Sequence, residues 1–326
     1  MKKIKEDIPT AEALHTRLHT IMESGLANFV STTNARRISV RTHVRFAVMS
    51  GLFALSIVGF LFAAQVDLNT LFGKIISMTL LLWLTVLLVS GKSWFIGSTL
   101  LAREVNMALV PILASMFDRT LLYTYNESKV DAVAELLNDS QLLVDEVTNL
   151  KVSSIYTIFS EFEMKVHEVK FDQKTKSPSG KMTVAHATFI DVNISNEEVA
   201  PTILASTGSR FGFSQQGLVQ HLQNNESLHS IEIADKNLKA FSTDTVAGNN
   251  FLKKATLQML SDWKKDAEEN IRVMRKGTKL YILVPASQKG TAYISTSTKQ
   301  KSIERYASVI ARPIWRALML AEEVRE

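Results

Sequence analysis

The sequence predicts an α+β protein in which helices lead into a mixed or antiparallel sheet with flanking helices. Three observations carry this. Apolar residues recur at three- and four-residue steps up to about residue 150. From about residue 152 they alternate with polar residues instead. Beyond that point strands and helices follow without the regular alternation of a doubly wound sheet. The pattern divides the chain into an amphipathic helix with a basic segment (1–45), an apolar helical hairpin (46–98), a helical stalk (99–150) and an α+β domain (151–326).

Residues 9–31 carry Leu14, Leu18, Ile21, Met22, Leu26, Phe29 and Val30 at helical spacing, and Pro9 suits a first turn. The polar face is mixed rather than lysine-rich, which favours packing on the rest of the protein over lying on lipid. Residues 46–66, FAVMSGLFALSIVGFLFAAQV, hold 21 residues without a charge, enough for a helix to cross about 30 Å of hydrocarbon. Gly51, Ala54, Gly59, Ala63 and Ala64 leave room for close helix packing. A polar turn, Asp67 to Lys74, precedes a second uncharged run of 17 residues, Ile75 to Gly91. Two readings are open, a pair of membrane spans or a buried helical hairpin. The length and uniformity of the first run favour spans.

Basic residues orient such a pair. Arg36, Arg37, Arg41 and Arg45 precede it, Lys92 and Arg103 follow it, and the turn has only Lys74, opposed by Asp67. Both termini are then expected on the cytoplasmic side. Arg36, Arg37, Arg41, Arg45, Lys92 and Trp94 would sit at the membrane interface, facing lipid headgroups. The SGKS at residues 90–93 ends like a phosphate-binding loop, but the first glycine of that motif is replaced by Val86. The intervening Leu87, Leu88 and Val89 are too bulky to cradle phosphate, so Lys92 reads as a membrane exit.

The segment 101–121 continues a helical pattern, with Pro111 expected to kink or restart it. Residues 128–143 form a short helix with Ser128 as a candidate N-cap. SIYTIFSEFEMKVHEVKF alternates as one or two strands with a bulge or turn. The polar DQKTKSPSGK is a hairpin loop, and MTVAHATFIDVNI returns as a long strand. HSIEIADKNLKAFSTD holds two short strands around a turn. FLKKATLQMLSDWKKDAEE is an amphipathic helix carrying Trp263. NIRVMRKGTKLYILVP is a hairpin turning at Lys276 and Gly277, and the C-terminal helix is broken or kinked near Pro313.

Sites of chemistry are sparse. The chain has no cysteine, which excludes disulfides, thiol nucleophiles and thiolate metal sites. A net charge of +5 over 326 residues gives no case for nucleic acid. His15 and His19 share a helix face but lack the glutamate of H-E-x-x-H. His186 and Asp191 are five apart on one strand and so face opposite ways. Glu161 and Glu163 would share a strand face and read as a solvated acidic edge rather than an acid–base pair. Asp235 and Asp244 fall in turns. No catalytic, cofactor-binding or metal site is expected. The most loop-like central stretch, STGSRFGFSQQG, offers Arg210, Phe211 and Phe213 as a candidate ligand or partner loop.

Four patches, LLYTYNESKVDAVAELLNDSQLL, the strand pair ending SEFEMKVHEV, the strand ATFIDVNI, and FSTDTVAGNNFLKKATLQMLSDW followed by KLYILVP, together resemble one family. It is an uncharacterised group of bacterial two-span membrane proteins with a cytosolic α+β domain, often encoded near LemA-type proteins. Ala187 stands where that pattern has a glycine. The resemblance implies an inner-membrane location and an α+β fold, and brings no reaction, cofactor or site residue. The expected function is a non-enzymatic scaffold or regulator that forms a homo-oligomer or recruits another membrane protein at the cytoplasmic face. The alternative is a membrane-tethered enzyme or small-ligand or lipid-binding receptor.

Overall fold

A computed structural model describes residues 12–13, 16–17, 19–20, 42–43, 45–60, 71–124, 130–144, 148–174, 182–194, 199–206, 209–210, 213–267, 271–285 and 300–325. The chain divides into two compact units. One comprises Met1–Ile21, Leu109–Tyr293 and Ile303–Glu326, the other Met22–Ala108 and Ile294–Ser302.

In the second unit a helix over 45–60 (α1) accompanies the long helix α2, Leu71–Phe117, up to Ala108. The rings of Phe53 and Trp83 lie 5.1 Å apart. A methyl group added at Gly51 would touch Leu87 Cδ1 at 3.5 Å. No helix among the described residues is long and apolar enough to cross a membrane. The uncharged run in α1 is described for Phe46–Phe60, fifteen residues, and that in α2 stops at seventeen between Lys74 and Lys92. A span needs about 20. The expected transmembrane hairpin and multi-pass inner-membrane location are therefore corrected. The last six residues of the first run lie outside the described residues. The expected hairpin and stalk also merge, because α2 runs unbroken through Pro111.

The first unit is built on a nine-stranded antiparallel sheet in the order β1-β2-β3-β4-β11-β10-β5-β9-β8. Its strands are β1 (Thr120–Thr124), β2 (Thr148–Phe159), β3 (Glu163–Lys174), β4 (Met182–Asn193), β5 (Val199–Ser206), β8 (His229–Ile231), β9 (Leu238–Ser242), β10 (Arg272–Gly277) and β11 (Lys279–Pro285). A separate two-stranded ribbon pairs β6 (Ser209–Arg210) with β7 (Phe213–Ser214). The helices are α3 (Val130–Asp139), α4 (Gln215–Gln223), α5 (Thr245–Phe251), α6 (Lys254–Ala267) and α7 (Gln300–Arg325).

Alternation assigns each strand residue to a face. One face carries Val169, Phe171, Ala185, Ala187, Phe189, Ile203, Ala205, Phe241, Met274, Tyr281 and Leu283. It is buried in one cluster with Val133 and Leu137 of α3, Leu142, and Leu218 and Leu222 of α4. The other face, with Met164, Val166, Ile190, Val192, Leu204, Val273, Leu280 and Ile282, is equally buried. Buried apolar residues also lie at the end of α2 (Leu109, Ile112, Leu113, Met116), on α6 (Leu260, Trp263) and along α7 (Ile310, Ile314, Leu318). A sheet hidden on both sides cannot be strictly amphipathic, and its central strands are apolar on both faces.

Candidate functional site

The residues singled out by sequence do not converge. Arg36, Arg37, Arg41, His15 and Phe211 lie outside the described residues. Arg45 and Lys92 are exposed on α1 and α2, and Trp94 is in α2. Arg210 pairs with Phe213 across the β6–β7 ribbon. His186 and Asp191 do lie on opposite faces, as alternation requires. Glu161 corrects the acidic strand edge, because it sits in the β2–β3 turn and pairs with Arg325 of α7. Glu163 instead binds Lys165 at 2.8 Å. The turn aspartates are structural. Asp244 caps α5, its Oδ1 accepting from Val246 N at 2.8 Å and Ala247 N at 3.2 Å. Asp235 accepts from Asn237 N at 2.9 Å and from Ser261 Oγ at 2.8 Å.

Two polar constellations arise from the packing instead. The first closes one end of the α3-covered sheet face. Register sets Lys165, Asp191 and Tyr281 side by side on β3, β4 and β11. Tyr281 donates to Asp139 Oδ2 at the end of α3 at 3.0 Å, and Lys276 pairs with the same carboxylate. Burial opposes the charge on Asp139, but hydrogen bonds from Lys276 and Tyr281, with the nearby lysine charges, hold its carboxyl below the usual range. Burial and the Asp139 bond both push the Tyr281 phenol up, so it remains a donor. Asp191 is buried, with Lys279 Nζ 3.7 Å from its Oδ1, an ionic contact too long for a hydrogen bond. Burial raises its carboxyl, against the pull of Lys279 and Lys165. Two carboxylates, Asp139 and Asp191, here face Lys165, Lys276 and Lys279, and the bonds of Asp139 to Lys276 and Tyr281 tie the end of α3 to the β10–β11 hairpin. Among the described residues no group of three or more histidines and acids is placed to hold a metal ion.

The second constellation lies between α6 and α7. Met259, Leu260, Asp262 and Trp263 of α6 and Trp315, Arg316, Met319 and Leu320 of α7 line a cavity of about 220 Å³. Arg316 Nη1 donates to the Trp263 carbonyl at 2.8 Å. Its guanidinium carbon stands 5.8 Å from the Trp263 ring and 6.0 Å from the Trp315 ring, within cation–π range of both. The Trp315 indole N–H is buried without a hydrogen-bond partner. Trp263 belongs to a segment with the pattern of an amphipathic helix, and Trp315 follows Pro313 by two residues. Nothing in either segment signals that the two meet, since 51 residues separate them. The chain matches no protein-family model, no curated protein and no solved structure.

Proposed function

We propose that this protein is a non-enzymatic scaffold that assembles with copies of itself through the apolar surfaces of α1 and α2. The supporting observation is the side-chain exposure of those helices. Leu55, Phe60, Met78, Leu81 and Leu88 are each at least 60% exposed. Water penalises such surface by roughly 25 cal/mol per Å², and monomeric proteins rarely leave more than a few hundred Å² contiguous. Neither Phe46–Phe60 nor Ile75–Gly91 contains a charge that would select a differently charged partner. Exposed apolar groups lie on both helices, and at the exposed Gly59 an added methyl group would meet nothing within 4 Å, so another chain can approach the α1 backbone closely there. An uncharged apolar surface can pair with a second copy of itself, as an isologous contact requires.

Light-scattering mass of the purified full-length chain over a hundredfold dilution tests this. A defined multiple of 36.4 kDa that dissociates only at the lowest concentrations supports it. A monomer at every concentration overturns it. So does a monomer that floats with neutral phospholipid vesicles, which would assign the same surface to lipid. The α6–α7 cavity favours a second role, binding a small molecule.

A further inference from the structure

We infer that the ligand of the α6–α7 cavity is a neutral aromatic molecule of two fused rings. This rests on the second role, binding of a small molecule in that cavity, and names its chemistry. Size, wall and charge each contribute. An apolar cavity of about 150 Å³ takes up benzene, with its six ring atoms. At that ratio the cavity of about 220 Å³ holds about nine non-hydrogen atoms. A five-membered ring fused to a six-membered ring has that number.

The wall selects aromatic over saturated ligands. Leu260, Trp263, Trp315 and Leu320 are buried, and Met259 and Met319 are half-buried. Two of these six side chains are indoles and two are thioethers. Aromatic rings gain from contact with one another beyond the area they bury. Thioether sulfur likewise makes favourable contacts with aromatic rings, and the unbranched methionine chain adjusts to the shape it meets. A saturated ligand of equal size gains the burial alone.

Charge excludes ions. Both charged residues of the lining are engaged within the protein. Arg316 donates to the Trp263 carbonyl at 2.8 Å and lies within cation–π range of the Trp263 and Trp315 rings. Asp262 accepts from Gln258 Nε2 at 2.9 Å, one turn back on its own helix. An anionic ligand would have to draw Arg316 away from its contacts, and a cationic one would have to draw Asp262 from Gln258. A charge enclosed by the apolar walls without such a partner bears its full desolvation cost. A neutral ligand disturbs neither residue. The Arg316 bond also ties α7 to α6 beside the cavity, so the site is formed before the ligand arrives.

Calorimetric titration of the full-length protein compares four ligands that share one count of non-hydrogen atoms. Benzofuran is neutral and aromatic, cyclooctanone neutral and saturated, benzoate an anion and benzamidinium a cation. Benzofuran is expected to bind with a dissociation constant on the order of 0.1 mM. Cyclooctanone should bind at least fivefold more weakly, and both ions at least tenfold more weakly. Met319→Trp fills the cavity from α7, and Met259→Trp fills it from α6. Each should weaken benzofuran at least tenfold, and far-UV circular dichroism identifies the variant that keeps the fold. Benzofuran binding unchanged in a folded variant overturns the assignment, as does either ion binding as tightly as benzofuran. Cyclooctanone binding as tightly, and lost in the filled variants, overturns the aromatic class but leaves a small-molecule site. If none of the four binds, the class and the second role fall together. The particle mass is measured separately, so loss of this site leaves self-assembly standing, and the reverse.

Discussion

At the scale of single residues, close contacts and buried charges decide which side chains the fold requires. Gly248 in α5 lies against β8 and β9. A methyl group there would approach Ile231 Cδ1 to 2.3 Å and Ser242 Cβ to 2.9 Å, and Ser242 is held by hydrogen bonds to the Pro201 and Asp244 carbonyls. Gly248→Ala is therefore expected to destabilise the protein by about 1–3 kcal/mol in denaturant unfolding, the usual cost of overpacking. Asp244→Ala removes the α5 cap and should cost about 1 kcal/mol by the same measurement. Asp191 predicts the opposite sign. Burial raises its folded pKa above the unfolded value, so the unfolded state loses its proton first as pH rises. Between the two pKa values stability falls with increasing pH, and above both the full penalty is present. Asp191→Asn should accordingly raise the melting temperature at pH 7, and the two melting curves should converge well below pH 3.8, where the carboxyl is protonated in both states. A variant less stable than the parent at pH 7 would show that the Lys279 contact outweighs the desolvation.

At the scale of elements, alternation made one side of the sheet legible. β2, β3 and β4 form in register where SIYTIFSEFEMKVHEVKF and MTVAHATFIDVNI alternate, with Lys174 opposite Met182 across the expected loop. The β10–β11 hairpin also forms, but Lys276 pairs with Lys279, so the turn is at Gly277 and Thr278, one residue later than the sequence suggested. Gly277 has φ +56°, which explains the glycine. Gly277→Ala should cost about 1 kcal/mol and leave the strands paired. β5 was not legible, although it lies in the interior of the sheet. Ile203, Leu204 and Ala205 are all fully buried, so the strand has no polar face to produce a period of two. Pro201 argues further against an interior strand. It is tolerated because the pairing with β10 is irregular there, between Arg275 and Gly277, and its carbonyl accepts from Thr243 N at 3.1 Å. β1 was missed for another reason. TLLYT follows α2 after only two residues, and its Leu121 prolongs the helical spacing of the segment before it. Of the break or kink expected near Pro313, the break is absent, since α7 continues through that residue. The cavity could not be foreseen, because its two aromatic walls belong to helices joined by a hairpin and a long connection.

At the scale of the whole molecule, the two units solve the burial problem differently. The sheet-based unit hides its apolar residues internally, from Leu113 and Ile190 to Ala321, all fully buried. The helical unit leaves Leu55 and Leu81 each 69% exposed. This difference makes the assembly proposal separable from folding. Leu55→Lys with Leu81→Lys places two charges on the apolar surface without removing any buried contact of the sheet. An ammonium group buried between copies would lack a partner, and such a group costs several kcal/mol. The double variant should therefore shift the particle to the mass of one chain at concentrations where the parent is assembled. Its far-UV spectrum and the unfolding midpoint of the sheet should stay unchanged. Raising salt should leave the parent's assembly intact or strengthen it, because no ion pairs are being screened and excluded salts favour apolar burial. Dissociation in moderate salt would point instead to contacts through charged residues elsewhere on the chain. A double variant that keeps the parent's mass would remove α1 and α2 from the interface altogether.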